Sequence, residues 1–433
     1  MGFELDLKFV KMTEIQDLND LYRKLKRKQT QITNSFIYQH IGRHKTLLDL
    51  SNKYLFDPCI YKLKKLFISN YSSHIPLRYL ILQNCLLSSS SATQVLSIFL
   101  NFPGRISLSL LDLANNSIQF TPSLSLLIVK VFEKAGKESK KLKVQGNIFS
   151  DKESLVSLLS SNVTYELLNF YDCCLNTEGL IGLSDWVSQD LNANKLDLSY
   201  NSLAFVSKSA VFSFGVALGL NTNLTCLKLS GVQSLSKISF LEKFCVGLKK
   251  NPYLEKLVLS NITLGDKGLK TLRKKCLGAL NLTHLDLQNT NLTSLGLGKL
   301  LKRLPGSLNY LVLAYNQVND DKFLALVGKW ISGEKNLRHL NFSYCFCFQR
   351  VDGKVLNGFC KGVTENRSLS ELFMEGCKIQ DDPDEFCKML SIAIEDRKYP
   401  ICFKISAVKD AGGTVDYLSK TQERIFKDIS REV

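Results

Sequence analysis

Apolar residues along this chain alternate between two textures. Short runs place leucine at every second position, the pattern of a strand with one buried side-chain row. Leu77-Arg-Tyr-Leu80-Ile-Leu82-Gln-Asn-Cys85 is one such run, apolar at its first, fourth and sixth positions, with a thiol at the ninth. The same frame returns at 108–116, 308–316, 337–345 and 369–377. Weaker copies centre on Val144, Phe170, Leu198, Leu229, Leu259 and Leu287, with a terminal copy at Phe403-Lys404-Ile405. Between the runs the spacing changes to three and four. Leu155, Leu158 and Leu159 show it, as do Leu180, Leu183 and Trp186, then Leu269, Leu272 and Cys276, then Leu295, Leu297, Leu300 and Leu301. That is the spacing of a helix with one apolar face. Taking the fourth position as register mark gives 80, 111, 142, 168, 196, 227, 257, 285, 311, 340, 372 and 403, at intervals of 26 to 32 residues. Successive parallel strands need a crossover between them, and each return is long enough for a helix.

The frame L-x-x-L-x-L-x-x-N/C at this period resembles the leucine-rich repeat family, in its ribonuclease-inhibitor-like class, over residues 77–405. The resemblance implies an α/β solenoid, a horseshoe of about 12 repeats with a parallel concave sheet, convex helices and terminal caps. It implies a binding function more than a reaction. The ninth position is Asn at 116, 147, 201 and 316 and Cys at 85, 173, 345 and 377. In the family these buried side chains satisfy loop backbone groups, as buried polar atoms require. Val232, Ile262 and Thr290 stand there in the middle units, which predicts an interrupted ladder.

The ends divide as follows. Residues 1–46 read as a basic helical cap, carrying the run Arg23-Lys-Leu-Lys-Arg-Lys28, and 47–405 as the array. Leu47-x-x-Leu50 is taken as a degenerate opening unit, thirty residues ahead of Leu80. Residues 406–433 read as a C-terminal capping helix over 415–429, with Tyr417, Leu418, Ile425 and Ile429 inward.

Composition narrows the class. With 45% hydrophobic and 22% charged residues the chain can bury a core. The longest near-apolar run, 210–220, is too short to span a bilayer, and no signal segment opens the chain. Thirteen cysteines, an odd number, then fit free thiols in a reducing compartment, and a cytoplasmic location is expected. Lys and Arg outnumber Asp and Glu by 56 to 40, a net charge of +16 that favours acidic protein surfaces, nucleic acid or anionic lipid.

Candidate chemistry follows from the frame. Positions flanking the strand leucines face the concave side, so neighbouring units bring together His284, Asp286, Tyr310, Tyr315, His339, Asn341, Tyr344, Glu371 and Phe373. This aromatic, mixed-charge patch is the expected partner-binding surface, since such side chains offer large area with polar tips. His284 and His339 lie two strands apart, roughly 10 Å, too wide for one metal ion. No phosphate loop, nucleophile elbow, zinc motif or dinucleotide fingerprint occurs, so no cofactor and no catalytic residue is expected. Cys173 and Cys345 fall on the buried ladder position and read as inert.

A second candidate is basic. Lys140-Lys141, Lys249-Lys250, Arg273-Lys274-Lys275 and Lys302-Arg303 each fall where a return helix should end. They would stack into a basic edge that either complements helix dipoles or meets an anionic partner. Nucleic acid ranks last, because stacking motifs are missing. The resulting reading is a non-catalytic protein-interaction scaffold, monomeric, working through its concave face, with acidic protein or anionic lipid as partners of the edge. Ran GTPase-activating proteins share the repeat class and offer an alternative as regulators of a small GTPase, although no residue here matches their catalytic arginine. Eukaryote-like repeat effectors of intracellular bacteria offer another, in which the partner is a host protein.

Overall fold

The structure, a computed structural model, describes residues 46–417 apart from 56, 71–76, 103–105, 160–162, 190–192, 202–206, 334–335, 349, 380–382, 400 and 409–413. The expected N-terminal cap at 1–46 lies, save its last residue, outside the described residues. Strands run β1 (Leu47–Asp49), β2 (Leu77–Ile81), β3 (Ile106–Asp112), β4 (Lys140–Lys143), β5 (Tyr165–Asn169), β6 (Ala193–Asp197), β7 (Cys226–Lys228), β8 (Lys256–Val258), β9 (His284–Asp286), β10 (Tyr310–Val312), β11 (His339–Asn341), β12 (Cys347–Phe348), β13 (Glu371–Ile379), β14 (Cys402–Val408) and β15 (Thr414–Tyr417). The helices are α1 (Asp57–Asn70), α2 (Ser89–Leu100), α3 (Pro122–Lys134), α4 (Lys152–Leu159), α5 (Thr177–Ser188), α6 (Lys208–Leu220), α7 (Ile238–Leu248), α8 (Gly265–Lys275), α9 (Ser294–Leu301), α10 (Lys322–Gly333), α11 (Gly353–Glu365) and α12 (Pro383–Glu395).

Strands β1 to β11, β13 and β14 pair in chain order in one open parallel sheet, with β12 parallel to β13 at its side. The twelve register marks form a single row across it, from Leu80 opposite Leu111 through to Leu372 opposite Phe403. All twelve side chains are buried between sheet and helices. The row begins one unit earlier than 80, at Leu48, which pairs with Leu80. The opening unit is therefore framed on Leu48 and not on Leu50, which fills the sixth-position slot. Four residues after each mark from Leu48 to Leu372 the backbone turns left-handed: Asn52, Asn84, Asn115, Gly146, Asp172, Tyr200, Gly231, Asn261, Asn289, Tyr315, Tyr344 and Gly376 all have φ between 50° and 69°. In the units up to Tyr344 this turn follows the strand and sends the chain toward its helix, whereas in β13 Gly376 sits at a register shift within the strand.

The ninth-position ladder follows directly. Asn116 accepts from the amides of Cys85 and Leu87 in the preceding unit and donates to Leu82 and Leu113 carbonyls. Asn201 and Asn316 repeat the arrangement. Cysteine serves the same slot with less: Cys85, Cys173 and Cys345 each donate a thiol hydrogen to a carbonyl of the preceding unit. Burial pushes these thiols up to about 11 for Cys85 and about 12 for Cys173 and Cys345, so they stay protonated at neutral pH. Val232 and Ile262 break the ladder with buried apolar side chains, while the Thr290 hydroxyl reaches the Leu287 carbonyl at 2.6 Å and Asn316 Oδ1 at 3.2 Å. The sheet register continues through all three units.

At the far end, the array's last strand runs on to Val408, and β15 pairs antiparallel with it. Thr414–Tyr417 is thus a strand where the spacing predicted the start of a helix. The remainder of that expected helix lies outside the described residues.

Candidate interaction surfaces

Side chains just before the register row point into the concavity. On β9 to β11 they stack: His284 on Tyr310 at 4.3 Å between ring centroids, and Tyr310 on His339 at 5.3 Å. Phe373 meets His339 edge-on at 5.2 Å, and His339 Nδ1 donates to the Glu371 carboxylate. At the left-handed turns Tyr315 and Tyr344 form a second stack, 4.6 Å apart. A tyrosine at positive φ is uncommon, and its ring needs room on the neighbouring strand. The next units supply it with glycine: Tyr344 lies over Gly376, and Tyr200 lies over Gly231, where a Cβ would come within 2.8 Å of the ring. Asp286 and Asn341 each spend one oxygen on the turn, accepting from the amides of Gln288 and Ser343.

The sheet also carries an open cup of about 520 Å³ over β6 to β10. Its floor is made of small side chains, Ser230, Ser260 and Val258, with the two hydroxyls 2.7 Å apart. Tyr171 and Tyr200 wall one side, His284 and Tyr310 the other, with Lys228, Lys256 and Asp286 around it. Of the nine residues expected at the patch, His284, Asp286 and Tyr310 line this cup. Tyr315, His339, Asn341, Tyr344, Glu371 and Phe373 lie beyond its C-terminal wall.

The frame that places Lys256 beside His284 in the exposed row also names Tyr171, Tyr200 and Lys228 when applied to earlier units, and the sequence reading missed these three. It also passed over the charge matching of the concave face. Asp112 pairs with Lys143 and Asp197 with Lys228, both at 3.3 Å across one strand, and Lys141 pairs with Glu166 at 3.2 Å. In the cup this matching lapses. The residue across from Asp286 is Val312, and the position matching Glu166 opposite Lys256 is Thr283. Among the described residues neither Asp286 nor Lys256 makes an ion pair. Burial raises the Asp286 carboxyl above its ordinary range, and burial, then the Lys256 charge, hold the His284 imidazole below its own. Among the described residues no three His, Cys, Asp or Glu side chains converge as metal ligands would, and no helix is long and apolar enough to cross a membrane.

The basic edge is as expected in three of its four places. Lys249 caps α7 with Lys250 following, Arg273, Lys274 and Lys275 end α8, and Lys302 caps α9 with Arg303 following. Lys140 and Lys141 instead lie within β4, and Lys140 is buried, its ammonium 3.5 Å from the Ala135 carbonyl.

No family model matches the chain, and no curated protein matches it. Among solved structures it is similar to the leucine-rich repeat-containing protein LegL7 from Legionella pneumophila, 17% identical, covering 73% of this chain and 97% of that one with a TM-score of 0.42. It is also similar to the yeast Rad7 and Elc1 complex, at 13% identity, 86% and 94% coverage and a TM-score of 0.41. On its own register row and repeated left-handed turn, the chain is a leucine-rich-repeat solenoid.

Proposed function

We propose that this solenoid is a non-catalytic scaffold that binds a protein partner through its concave face. The observation that carries the reading is the stacked surface running from the cup through His284, Tyr310 and His339 to Phe373, with Tyr315 and Tyr344 alongside. Rings already ordered by stacking lose little side-chain freedom on binding, which is what a contact surface needs. The unmatched Lys256 and Asp286 favour a partner that brings one acidic and one basic group to the cup, restoring the pairing found elsewhere on the sheet.

The test is affinity capture from cytosolic lysate, comparing wild type with Tyr310→Ala/Tyr315→Ala/Tyr344→Ala at low and moderate salt. A partner lost from the variant yet retained at moderate salt supports recognition on the concave rings. A partner kept by the variant and stripped by salt refutes it and places recognition on exposed charge.

A further inference from the structure

Three successive helices end in cations whose side chains make no hydrogen bond or ion pair among the described residues. Because the strands are parallel, the crossover helices run alongside one another, and their C-terminal ends emerge along one edge. Helices α6 to α9 pack consecutively, and packed helix axes lie about 8–10 Å apart, so the ends of α7, α8 and α9 span roughly 20 Å. On that stretch stand Lys249, Lys250, Arg273, Lys274, Lys275, Lys302 and Arg303. All are exposed except Arg273, which is half-buried.

The array itself shows what a structural cation at a helix end looks like. Lys134 donates to the carbonyls of Leu100 and Phe102, and Arg397 donates to those of Val363, Leu369 and Tyr399. Among the described residues, none of the seven edge cations donates a side-chain hydrogen to a carbonyl or meets a carboxylate. Dipole compensation also falls short as an explanation, since it needs about one charge in the last turn and these ends carry two, three and, with Lys299 in the last turn of α9, three. Glu255 is the one carboxylate in the connections from these helices to β8, β9 and β10, and it is exposed and forms no ion pair with the edge cations. Two apolar side chains share the edge: Leu220, the last residue of α6, is 59% exposed, and Tyr253, between α7 and β8, is 49% exposed.

We propose that this edge docks on an anionic membrane surface, its cations facing acidic headgroups while Leu220 and Tyr253 enter the interfacial layer. A straight edge can bring all three cation clusters to a plane at once. The amphipathic ring of a tyrosine suits the headgroup boundary, and an exposed leucine gains by leaving water there. Binding single-stranded nucleic acid would instead need several ring faces along the strip, and Tyr253 is the one ring on it. The concave face takes no part, so this inference stands or falls apart from the scaffold reading.

The test is co-sedimentation of the full chain with phosphatidylcholine vesicles containing 0 or 30% phosphatidylserine, at low and high salt. Each headgroup-facing cation contributes roughly fivefold in partitioning. Lys250→Glu/Arg273→Glu/Lys274→Glu/Lys302→Glu should therefore lose at least about a hundredfold, with an unchanged thermal melt confirming that it folds. Wild type should bind only the anionic vesicles, and Leu220→Ser/Tyr253→Ser should abolish the fraction that survives high salt. Equal binding to neutral vesicles, or full binding by the charge-reversed variant, overturns the proposal. So does an apolar double variant that binds like wild type while polyglutamate displaces both, because the edge then answers to any polyanion.

Discussion

Replacing Asn316 with alanine isolates what the buried ladder contributes. Its side-chain oxygen accepts from the amides of Thr290 and Leu292 at 3.1 and 3.0 Å, and its amide donates to the carbonyls of Leu287 and Leu313 at 2.9 and 2.8 Å. Both carbonyls keep a second donor in the variant, the Thr290 hydroxyl and the Cys345 thiol. The two amides keep none. A buried group left unsatisfied costs about 1–3 kcal/mol, so Asn316→Ala should destabilise its unit by about 4 kcal/mol. Repeats contact only their neighbours, so the loss is local and no single unfolding midpoint reports it well. Hydrogen exchange read by mass spectrometry is the suitable assay. Amides of β9, β10 and the loops after them should exchange several hundredfold faster, with those of β3 and α3 unchanged. Asn316→Cys should fall between wild type and alanine. In the cysteine units the sulfur takes the place of one acceptor, as Cys345 does toward the Asn316 amide, and the cysteine's own carbonyl takes the other, from Val318 at 3.0 Å. A cost below about 1 kcal/mol for alanine, or faster exchange spread evenly over the chain, would refute the ladder's role.

Gly247→Ala should lower stability by about 1–3 kcal/mol, measured by urea unfolding, because a Cβ there runs into the Gly215 backbone where α6 and α7 meet. Gly278→Ala, with open space around it, is the matched control and should change little. The fold holds the His284 pKa below its ordinary 6.5, so the unfolded chain binds more protons and stability falls as pH drops through that value. His284→Gln should flatten the pH slope of thermal stability between about 7.5 and 5.5, and an unchanged slope would contradict the assignment. Val312→Lys should place a cation beside Asp286 as Lys143 stands beside Asp112, and NMR titration should then show the Asp286 carboxyl titrating lower than in wild type.

The repeat frame carried most of the fold, because the buried row depends on one residue per unit and leucine marks it in eleven of twelve places. The opening unit slipped by two residues since Leu48 and Leu50 are both buried and strand alternation looks the same two residues on. Asn52, in the left-handed turn, holds the information that fixes the frame. Lys140 was misplaced because charge suggests exposure, whereas its ammonium turns inward to a helix-end carbonyl. Residues 414–417 satisfy both strand and helix spacing over so short a stretch that only the pairing with β14 decides. The concave stacks were legible as rows of large residues at matching positions. The cup was not, because it arises where side chains are small, at Ser230, Val258 and Ser260, and such residues carry no chemical signal in the sequence.

The most direct measurement is site-specific photocrosslinking in cytosolic lysate, with a benzophenone amino acid at Tyr310 on the concave face and, separately, at the exposed Val156 and Leu295 on the helices. If the concave face is the protein-binding surface, one discrete adduct forms from position 310 and not from 156 or 295. An adduct that forms from the helical positions and not from 310 would contradict it.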